Sequence, residues 1–268
     1  MKKLSLFCCS ILALLSCKPQ SDLRIVEIST EFGNIQIQLY NETPIHRDNF
    51  VKLVQDSAFD GILFHRVIQN FMIQGGDPDS KNAEPGQMLG ESSIGEDLPA
   101  EIQPALFHKR GVIAAARNSD FVNPERKSSA SQFYLAQGII YPTVDSLNKR
   151  IEIVNAGRKR SITQKFQRPY NDSLKALQSA GNTDLHAQLM LDITRRADSL
   201  YAIEQLLLSP AQVEAYTTLG GIPHLDGYYT VFGEIISGYE VVEKIAALET
   251  DENDRPLQDI PMKIRLIQ

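Results

Sequence analysis

Apolar and polar residues alternate near the start of the chain, and a period of two is the pattern of a strand with one buried face. The stretch LRIVEISTEFGNIQIQLY (23–40) keeps this alternation on either side of residues 32–34, which are Phe, Gly and Asn. We therefore predict two strands joined by a tight turn, with Ile35, Ile37 and Leu39 on one face.

Helices and further strands are predicted after this pair. Thr43 is a suitable N-cap and Pro44 fits the first helical position, so a helix is expected to begin there. A second helix is expected at residues 239–248. The remaining strand candidates, separated by turn formers, are residues 62–74 with a reversal at Gln69 and Asn70, 111–117, 131–137, 228–236 and 262–267. A hairpin followed by a helix and more strands favours a closed antiparallel sheet capped by helices.

Residues 141–216 depart from this pattern and follow the three- and four-residue spacing of helices. The clearest stripe comprises Leu185, Leu189, Ile193, Ala197, Leu200, Ile203 and Leu207. Ser209 and Gln212 have the spacing of a capping box, which predicts another short helix through Tyr216. We interpret the block as a helical insertion in a β domain. Its basic segment 158–168 is interpreted as a solvated face or as a contact surface for a membrane or a protein partner.

The first residues have the pattern of an export signal. Two lysines precede an apolar run at residues 4–15, and LLSC ends at Cys17. The run is too short to span a bilayer as a mature helix, so we predict a signal peptide at residues 1–16. LLSC resembles the lipobox of bacterial lipoproteins, which implies a lipidated Cys17, a tether at residues 17–22 and a membrane-anchored lipoprotein facing the periplasm. Ordinary secretion as a soluble protein is the alternative.

Cysteine, charge and histidine content argue against several classes of function. All three cysteines lie in this leader, so a chain that starts at Cys17 cannot form an internal disulfide. The formal net charge of −6 gives no global basic field that would attract nucleic acid. The five histidines show no paired ligand spacing, so neither a metal site nor another cofactor is expected.

Four segments resemble, in order, the signature segments of cyclophilin-type peptidyl-prolyl isomerases: FHRVIQNFMIQGGD, GVIAAARNSD, SQFYLAQG and HLDGYYTVFGEIISGYEVVEKI. The resemblance covers residues 23–140 and 217–268 and leaves out the helical block at 141–216. It implies a mainly β, cyclophilin-like fold: a closed eight-stranded antiparallel barrel capped by two helices, here with an α-helical insertion. It also implies a shallow peptide groove on the outer surface of the barrel.

The resemblance implies the site residue by residue. Arg66 matches the catalytic arginine, and His65 beside it is a possible further site residue. The implied substrate-binding residues are Phe71, Met72, Gln74, Ala116, Arg117, Gln132, Tyr134, Leu225 and Tyr229. His224, a second possible site residue, stands where the best-studied members have tryptophan, and Tyr229 stands where histidine is common. The neighbours expected to hold the barrel instead are Phe64, Ile68 and Ile73.

Rotation about an X-Pro amide explains why such a site needs no nucleophile. The amide resists rotation by ~18–20 kcal/mol because its nitrogen lone pair is delocalised into the carbonyl. In the twisted transition state the nitrogen becomes a hydrogen-bond acceptor, to which a permanently charged guanidinium can donate. Apolar side chains around it would seat the proline ring and exclude water.

Two functions follow from this sequence. The favoured one is a peptidyl-prolyl cis-trans isomerase that acts on proline-containing polypeptides and assists the folding of exported or envelope proteins. The rival is a proline-peptide-binding chaperone or assembly factor with weak or no catalysis. Because both ends of the insertion flank groove segments, we expect the insertion to stand beside the active face and to contact substrate or a protein partner.

Overall fold

Eight strands form one antiparallel sheet in residues 23–268, the part of the chain that the structure, a computed structural model, describes. In chain order the strands are β1 (Arg24–Thr30), β2 (Gly33–Leu39), β3 (Phe64–Ile68), β4 (Met72–Gly75), β5 (Val112–Ala115), β6 (Phe133–Ala136), β7 (Val231–Ser237) and β8 (Lys263–Leu266). Their order across the sheet is β3-β4-β6-β5-β7-β2-β1-β8. The expected eight antiparallel strands are confirmed. The predicted signal peptide, Cys17 and the tether lie outside the described residues.

The two edge strands, β3 and β8, approach each other through the chain that flanks them. Leu63 and Pro261 form an isolated antiparallel bridge, and the amide of Phe64 donates to the carbonyl of Ile260 at 3.0 Å. The sheet is therefore curled. The closed barrel implied by the resemblance is not shown, because within residues 23–268 no strand ladder joins β3 to β8.

The first hairpin forms as its alternation predicts. β1 and β2 pair from Arg24 opposite Leu39 to Thr30 opposite Gly33, and their alternate apolar side chains are buried. The turn lies at residues 31–32, so Gly33 and Asn34 belong to β2 rather than to the predicted turn. The hydroxyl of Thr30 donates to the carbonyl of Gly33 at 3.0 Å and accepts from the amide of Phe32 at 3.1 Å, which closes the turn one residue earlier.

Two helices cover the inner face of the sheet, as the sequence predicts. They are α1 (Pro44–Gln55) and α6 (Tyr239–Ala246), and their buried side chains join the main core of the sheet. Phe50 of α1 is central to this core, since its ring centroid lies 5.1 Å from that of Phe59, 5.4 Å from that of Phe133 and 5.5 Å from that of Phe232. Aromatic contacts of this kind bury large areas and favour tilted or edge-on geometry.

A distant carboxylate caps α1 in place of its predicted N-cap. Thr43 occupies the N-cap position, but its side chain makes no capping hydrogen bond. Glu101 accepts instead from the backbone amides of Ile45 at 3.1 Å and His46 at 2.9 Å. The Glu101 carboxylate also accepts from the ring Nδ1 of His46 at 2.7 Å. A negative charge at a helix N-terminus satisfies its free N–H groups, which explains why the threonine hydroxyl is not needed.

The predicted helical block contains four helices in the described chain: α2 (Val144–Gln167), α3 (Asn171–Ser179), α4 (Thr183–Glu204) and α5 (Pro210–Thr218). The capping box of Ser209 and Gln212 at the start of α5 is confirmed. The predicted stripe of α4 is only partly buried: Ile193 and Ala197 are covered, whereas Ile203 is 81% exposed. The reason is that α4 packs against α2 and α3, which cover one part of the stripe. The boundaries at 141 and 216 stay predictions.

The insertion packs on the sheet through buried polar groups as well as apolar ones. Arg158 of α2 is buried, and its guanidinium donates to the carbonyl of Glu204 at 2.8 Å and to that of Asp226. The Arg158 guanidinium also lies 4.4 Å from the ring centroid of Tyr228. The interpretation of 158–168 as a solvated or contact face is therefore wrong for its first residue. None of the helices between residues 23 and 268 combines the length and apolar character needed to cross a membrane.

Candidate active site

Nine of the predicted site residues line one cavity of about 150 Å³ on the outer face of the sheet, the groove. They are Arg66, Phe71, Met72, Gln74, Ala116, Arg117, Tyr134, Leu225 and Tyr229. Met72, Tyr134 and Leu225 are buried and form its floor, together with the apolar cluster beneath it. Three predicted residues, Gln132, His65 and His224, do not line this cavity.

A β-bulge directs Arg66 into the groove. Phe64 pairs with Gly75 and Arg66 pairs with Gln74, so His65 is an extra residue between two consecutive pairs. Without the bulge, Phe64 and Arg66 would point to the same face of β3. With it, Phe64 packs in the main core while Arg66 remains 43% exposed at the groove.

His65, whose role the sequence left open, is the bulged residue and lies under the surface. It is 3% exposed, and neither ring nitrogen has a hydrogen-bond partner among the described atoms. Burial lowers the pKa of His65 to about 4, so the ring is neutral at physiological pH. Its position therefore does not support a direct substrate contact.

The two groove arginines differ in what their donors bind. The side chain of Arg117 is 3% exposed; it donates to the carbonyls of Tyr228 at 2.7 Å and Asn118 at 2.8 Å, and it pairs with Asp120 at 2.6 Å. Arg66 has only a 3.4 Å contact from its Nε to Asp254 Oδ2, and its two Nη atoms have no hydrogen bond to any residue in the described range. Arg66 is thus the groove guanidinium with donors available to a ligand.

Arg117 instead shapes the aromatic wall of the groove. Its guanidinium carbon lies 4.6 Å from the ring centroid of Tyr229, a cation–π distance. Tyr229 meets Tyr134 edge-on, with ring centroids 6.0 Å apart. Arg117 thus supports Tyr229, which in turn packs on Tyr134, while all three of its nitrogens already bind protein oxygens.

Gln74 is held by Gln132, which lies beside the groove. The Gln74 side-chain amide donates to Oε1 of Gln132 at 2.9 Å. Both donors of the Gln132 amide are used, by the carbonyl of Gly90 at 2.9 Å and that of Ser92 at 2.7 Å. Gln132 thus positions Gln74, and Gln74 keeps one N–H and its carbonyl oxygen for a peptide.

A buried polar chain that sequence reasoning missed fixes Tyr134. The hydroxyl of Tyr134 donates to Nε2 of His108 at 2.8 Å, and Nδ1 of His108 donates to Oδ1 of Asp226 at 3.0 Å. The second oxygen of Asp226 accepts from Tyr216 at 2.6 Å and Gln212 at 3.0 Å, both in α5. The insertion is therefore joined to the groove floor. Asp226 follows the predicted Leu225, but nothing in the sequence pairs it with His108.

His224 lies behind Phe71. The two rings are stacked, with centroids 5.5 Å apart, and Nδ1 of His224 accepts from the guanidinium of Arg150 in α2 at 3.1 Å. Ile68, predicted to hold the barrel, packs instead on the cluster beneath the groove. Phe64 and Ile73 are in the main core, as predicted. Within residues 23–268, no three His, Cys, Asp or Glu side chains lie together so that they could hold a metal ion.

Comparisons with known proteins give matches over most of the chain. A family model described as cyclophilin type peptidyl-prolyl cis-trans isomerase/CLD matches residues 25–151 and 210–265. A Staphylococcus aureus protein, named provisionally as a peptidyl-prolyl cis-trans isomerase, is 27% identical over 90% of this chain and 89% of its own length. A Streptococcus pyogenes protein, named provisionally as a bifunctional phosphatase/peptidyl-prolyl cis-trans isomerase, is 29% identical over 90% of this chain, which covers only 39% of that protein.

Solved structures share the fold. A Cryptosporidium parvum cyclophilin type peptidyl-prolyl cis-trans isomerase superposes with a TM-score of 0.54 at 19% identity, over 92% of this chain and 98% of its own. The same protein in the presence of the dipeptide Ala-Pro gives a TM-score of 0.53 at 20% identity, over 91% of this chain and 99% of its own. The unmatched residues 152–209 of the family comparison fall in the helical block.

Proposed function

The chain belongs to the cyclophilin-type peptidyl-prolyl cis-trans isomerase family, and from this premise we propose that it rotates X-Pro bonds in the groove with Arg66 as the catalytic donor. The observation that carries the proposal is that Arg66 faces the cavity with both Nη groups unengaged by residues 23–268. An Nη–H would donate to the prolyl nitrogen as it loses conjugation with the carbonyl.

Each other wall of the groove has a separate task. The proline ring would sit on the apolar floor of Met72, Tyr134 and Leu225, which excludes water from the rotating bond. The free N–H of Gln74 would hold a peptide carbonyl, so that rotation is confined to one side of the bond. No covalent intermediate and no proton transfer are required.

The energy needed is within the range of such a site. Uncatalysed isomerisation takes about 10–100 s, and an acceleration of roughly 10³- to 10⁴-fold requires about 4–5 kcal/mol of transition-state stabilisation. One preorganised donor contributes about 2.7–4 kcal/mol. Positioning by the groove supplies the remainder.

The direct test is an isomerase assay on the purified full chain with a short X-Pro peptide. The cis-trans exchange is monitored either with a protease-coupled readout or by NMR exchange spectroscopy. We expect the isomerisation rate to rise in proportion to enzyme concentration. A chain that binds the peptide in an NMR titration and leaves its isomerisation rate unchanged would contradict the proposal.

Peptide binding without catalysis would favour the rival function, a chaperone or assembly factor for proline-containing segments. The observation in its support is that the helices of the insertion and the segment after α4 carry large exposed apolar side chains. They include Ile153, Leu191, Ile203 and Leu207. Exposed apolar surface is a common feature of protein-binding sites, and we propose this part of the insertion as the contact for a protein partner or client.

We also propose that the protein is exported and anchored through a lipid on Cys17, where it would serve envelope or secreted clients. The support is the basic start, the short apolar run and the LLSC motif. Metabolic labelling with a clickable fatty acid is expected to label the full chain and not Cys17→Ala. The paired Cys8→Ala, Cys9→Ala variant is the control and should keep its label. Equal labelling of Cys17→Ala and the parent chain would refute the anchor.

A further inference from the structure

A second cavity, of about 440 Å³, shares Phe71 with the groove. Its apolar walls include Ile68 and Ile222, and its polar members include Tyr141 and His224. Tyr141 and Ile222 are buried, so the cavity has a closed floor. We name it the side cavity. Because one aromatic ring separates it from the groove, a polypeptide with its proline in the groove can place a neighbouring residue there; an extended chain advances about 3.3–3.6 Å per residue.

Arg150 of α2 is the charged side chain in the lining of the side cavity. Its polar contacts are with Nδ1 of His224 at 3.1 Å and with the side chain of Tyr141, and its Nε is buried without a hydrogen-bond partner among the described atoms. In the described chain no carboxylate forms a salt bridge with it. Its neighbours one turn away on α2 are Ser146, Leu147, Ile153 and Val154, none of which is acidic.

His224 does not neutralise this charge. Burial, assisted by the nearby Arg150, lowers the pKa of His224 to about 4, so the ring is neutral and accepts the hydrogen bond. The same ring stacks on Phe71. The chain Arg150–His224–Phe71 therefore joins an unneutralised cation of the insertion to the wall of the groove.

We propose that the side cavity is a second substrate subsite, in which Arg150 binds an acidic side chain that lies close to the isomerised proline in the client sequence. A half-buried guanidinium whose protein partners are neutral, and which has no carboxylate of its own, favours a ligand carboxylate, which it can bind through two parallel N–H groups. The insertion would thus select among X-Pro sites. This inference rests on the proposed function, because it takes the groove as the seat of the proline.

Peptide pairs test the subsite. In each pair a single Glu or Gln stands at one of the three positions before or after the proline, and kcat/KM and the peptide Kd are measured for the full chain. At one position we expect the Glu peptide to be preferred about 3- to 10-fold. Arg150→Gln should bring that ratio to about 1, and Arg150→Glu should make a Lys peptide preferred.

The matched control is Lys149→Gln, which removes a neighbouring charge of α2 that is 72% exposed and paired with Asp145. It should keep the preference. A Glu-to-Gln ratio near 1 at every position, or a preference that survives in Arg150→Gln, overturns the subsite. If Arg150→Gln does not fold, the Glu-to-Gln ratio of the unmodified chain is measured at increasing salt. A ratio that falls supports the subsite, since an ion pair weakens with ionic strength, and a constant ratio overturns it. If no peptide is isomerised, the proposed function fails, and the Kd ratios alone decide the subsite.

Discussion

Replacing Arg66 with alanine is expected to lower kcat/KM for an X-Pro peptide by about 10²- to 10³-fold, the usual loss for one preorganised transition-state donor. The reason is that Arg66 is the groove cation whose Nη groups are not engaged by residues 23–268, whereas each nitrogen of Arg117 already binds a neighbouring carbonyl or Asp120. The peptide Kd should change much less than kcat, because the nitrogen accepts strongly only when twisted. The assay on wild type and variant, with the Kd from an NMR titration, measures both.

Two further variants sharpen this result. Arg66→Lys keeps a positive charge but loses the planar fork, so we expect only partial recovery of activity. Arg195→Ala removes an exposed arginine of α4 and should leave activity at the wild-type level. Arg66 pairs with Asp254 only at 3.4 Å, and both side chains are 43% exposed, so the folded state should be little affected. Wild-type kcat/KM in a folded Arg66→Ala variant would contradict the proposed mechanism.

Replacing Asp226 with alanine is expected to lower the free energy of unfolding by roughly 3 kcal/mol or more, because each buried donor left without an acceptor costs about 1–3 kcal/mol. Its carboxylate is buried and accepts from the backbone amide of His108 at 2.8 Å, from the His108 ring, and from Gln212 and Tyr216 of α5. Removal leaves several buried donors without an acceptor, and each carries a desolvation cost. Urea denaturation of wild type and variant gives the difference.

Asp192→Ala is the matched control, because Asp192 is an exposed carboxylate of α4 paired with Arg196. Its loss should cost less than about 1 kcal/mol. Tyr216→Phe removes one of the four donors to Asp226 and should cost about 1–3 kcal/mol. An Asp226→Ala variant as stable as wild type would mean that the buried network contributes nothing to the fold.

The same network changes how the insertion can be tested. A deletion of residues 141–216 would remove Gln212 and Tyr216 together with Arg158, which also binds the chain at Asp226. Such a deletion would disturb the floor of the groove through His108 and Tyr134. Point variants on the outer surface of the helices therefore separate client binding from catalysis more cleanly than a deletion does.

The sequence by itself determined the elements and most of the groove. Period-two alternation predicted β1 and β2, and turn formers delimited the later strands. Helical spacing predicted α4, and Ser209 with Gln212 predicted the start of α5. Each of these signals is local, so neighbouring residues are sufficient to reveal it. Four motifs named nine side chains that the structure brings into one cavity. The same motifs could not tell which residues face the groove and which face the core in a strand whose alternation is broken.

Only the tertiary structure decided which polar side chains of the site are available to a ligand and which are engaged by other protein groups. A bulge set His65 under the surface and Arg66 in the groove, and carbonyls contributed by other segments engaged Arg117 and Gln132. The partners of Arg66, His108 and Arg150 are 188, 118 and 74 residues away in the chain. Contacts between residues so far apart depend on the tertiary fold of the whole chain, and a pattern of neighbouring residues carries no information about that fold.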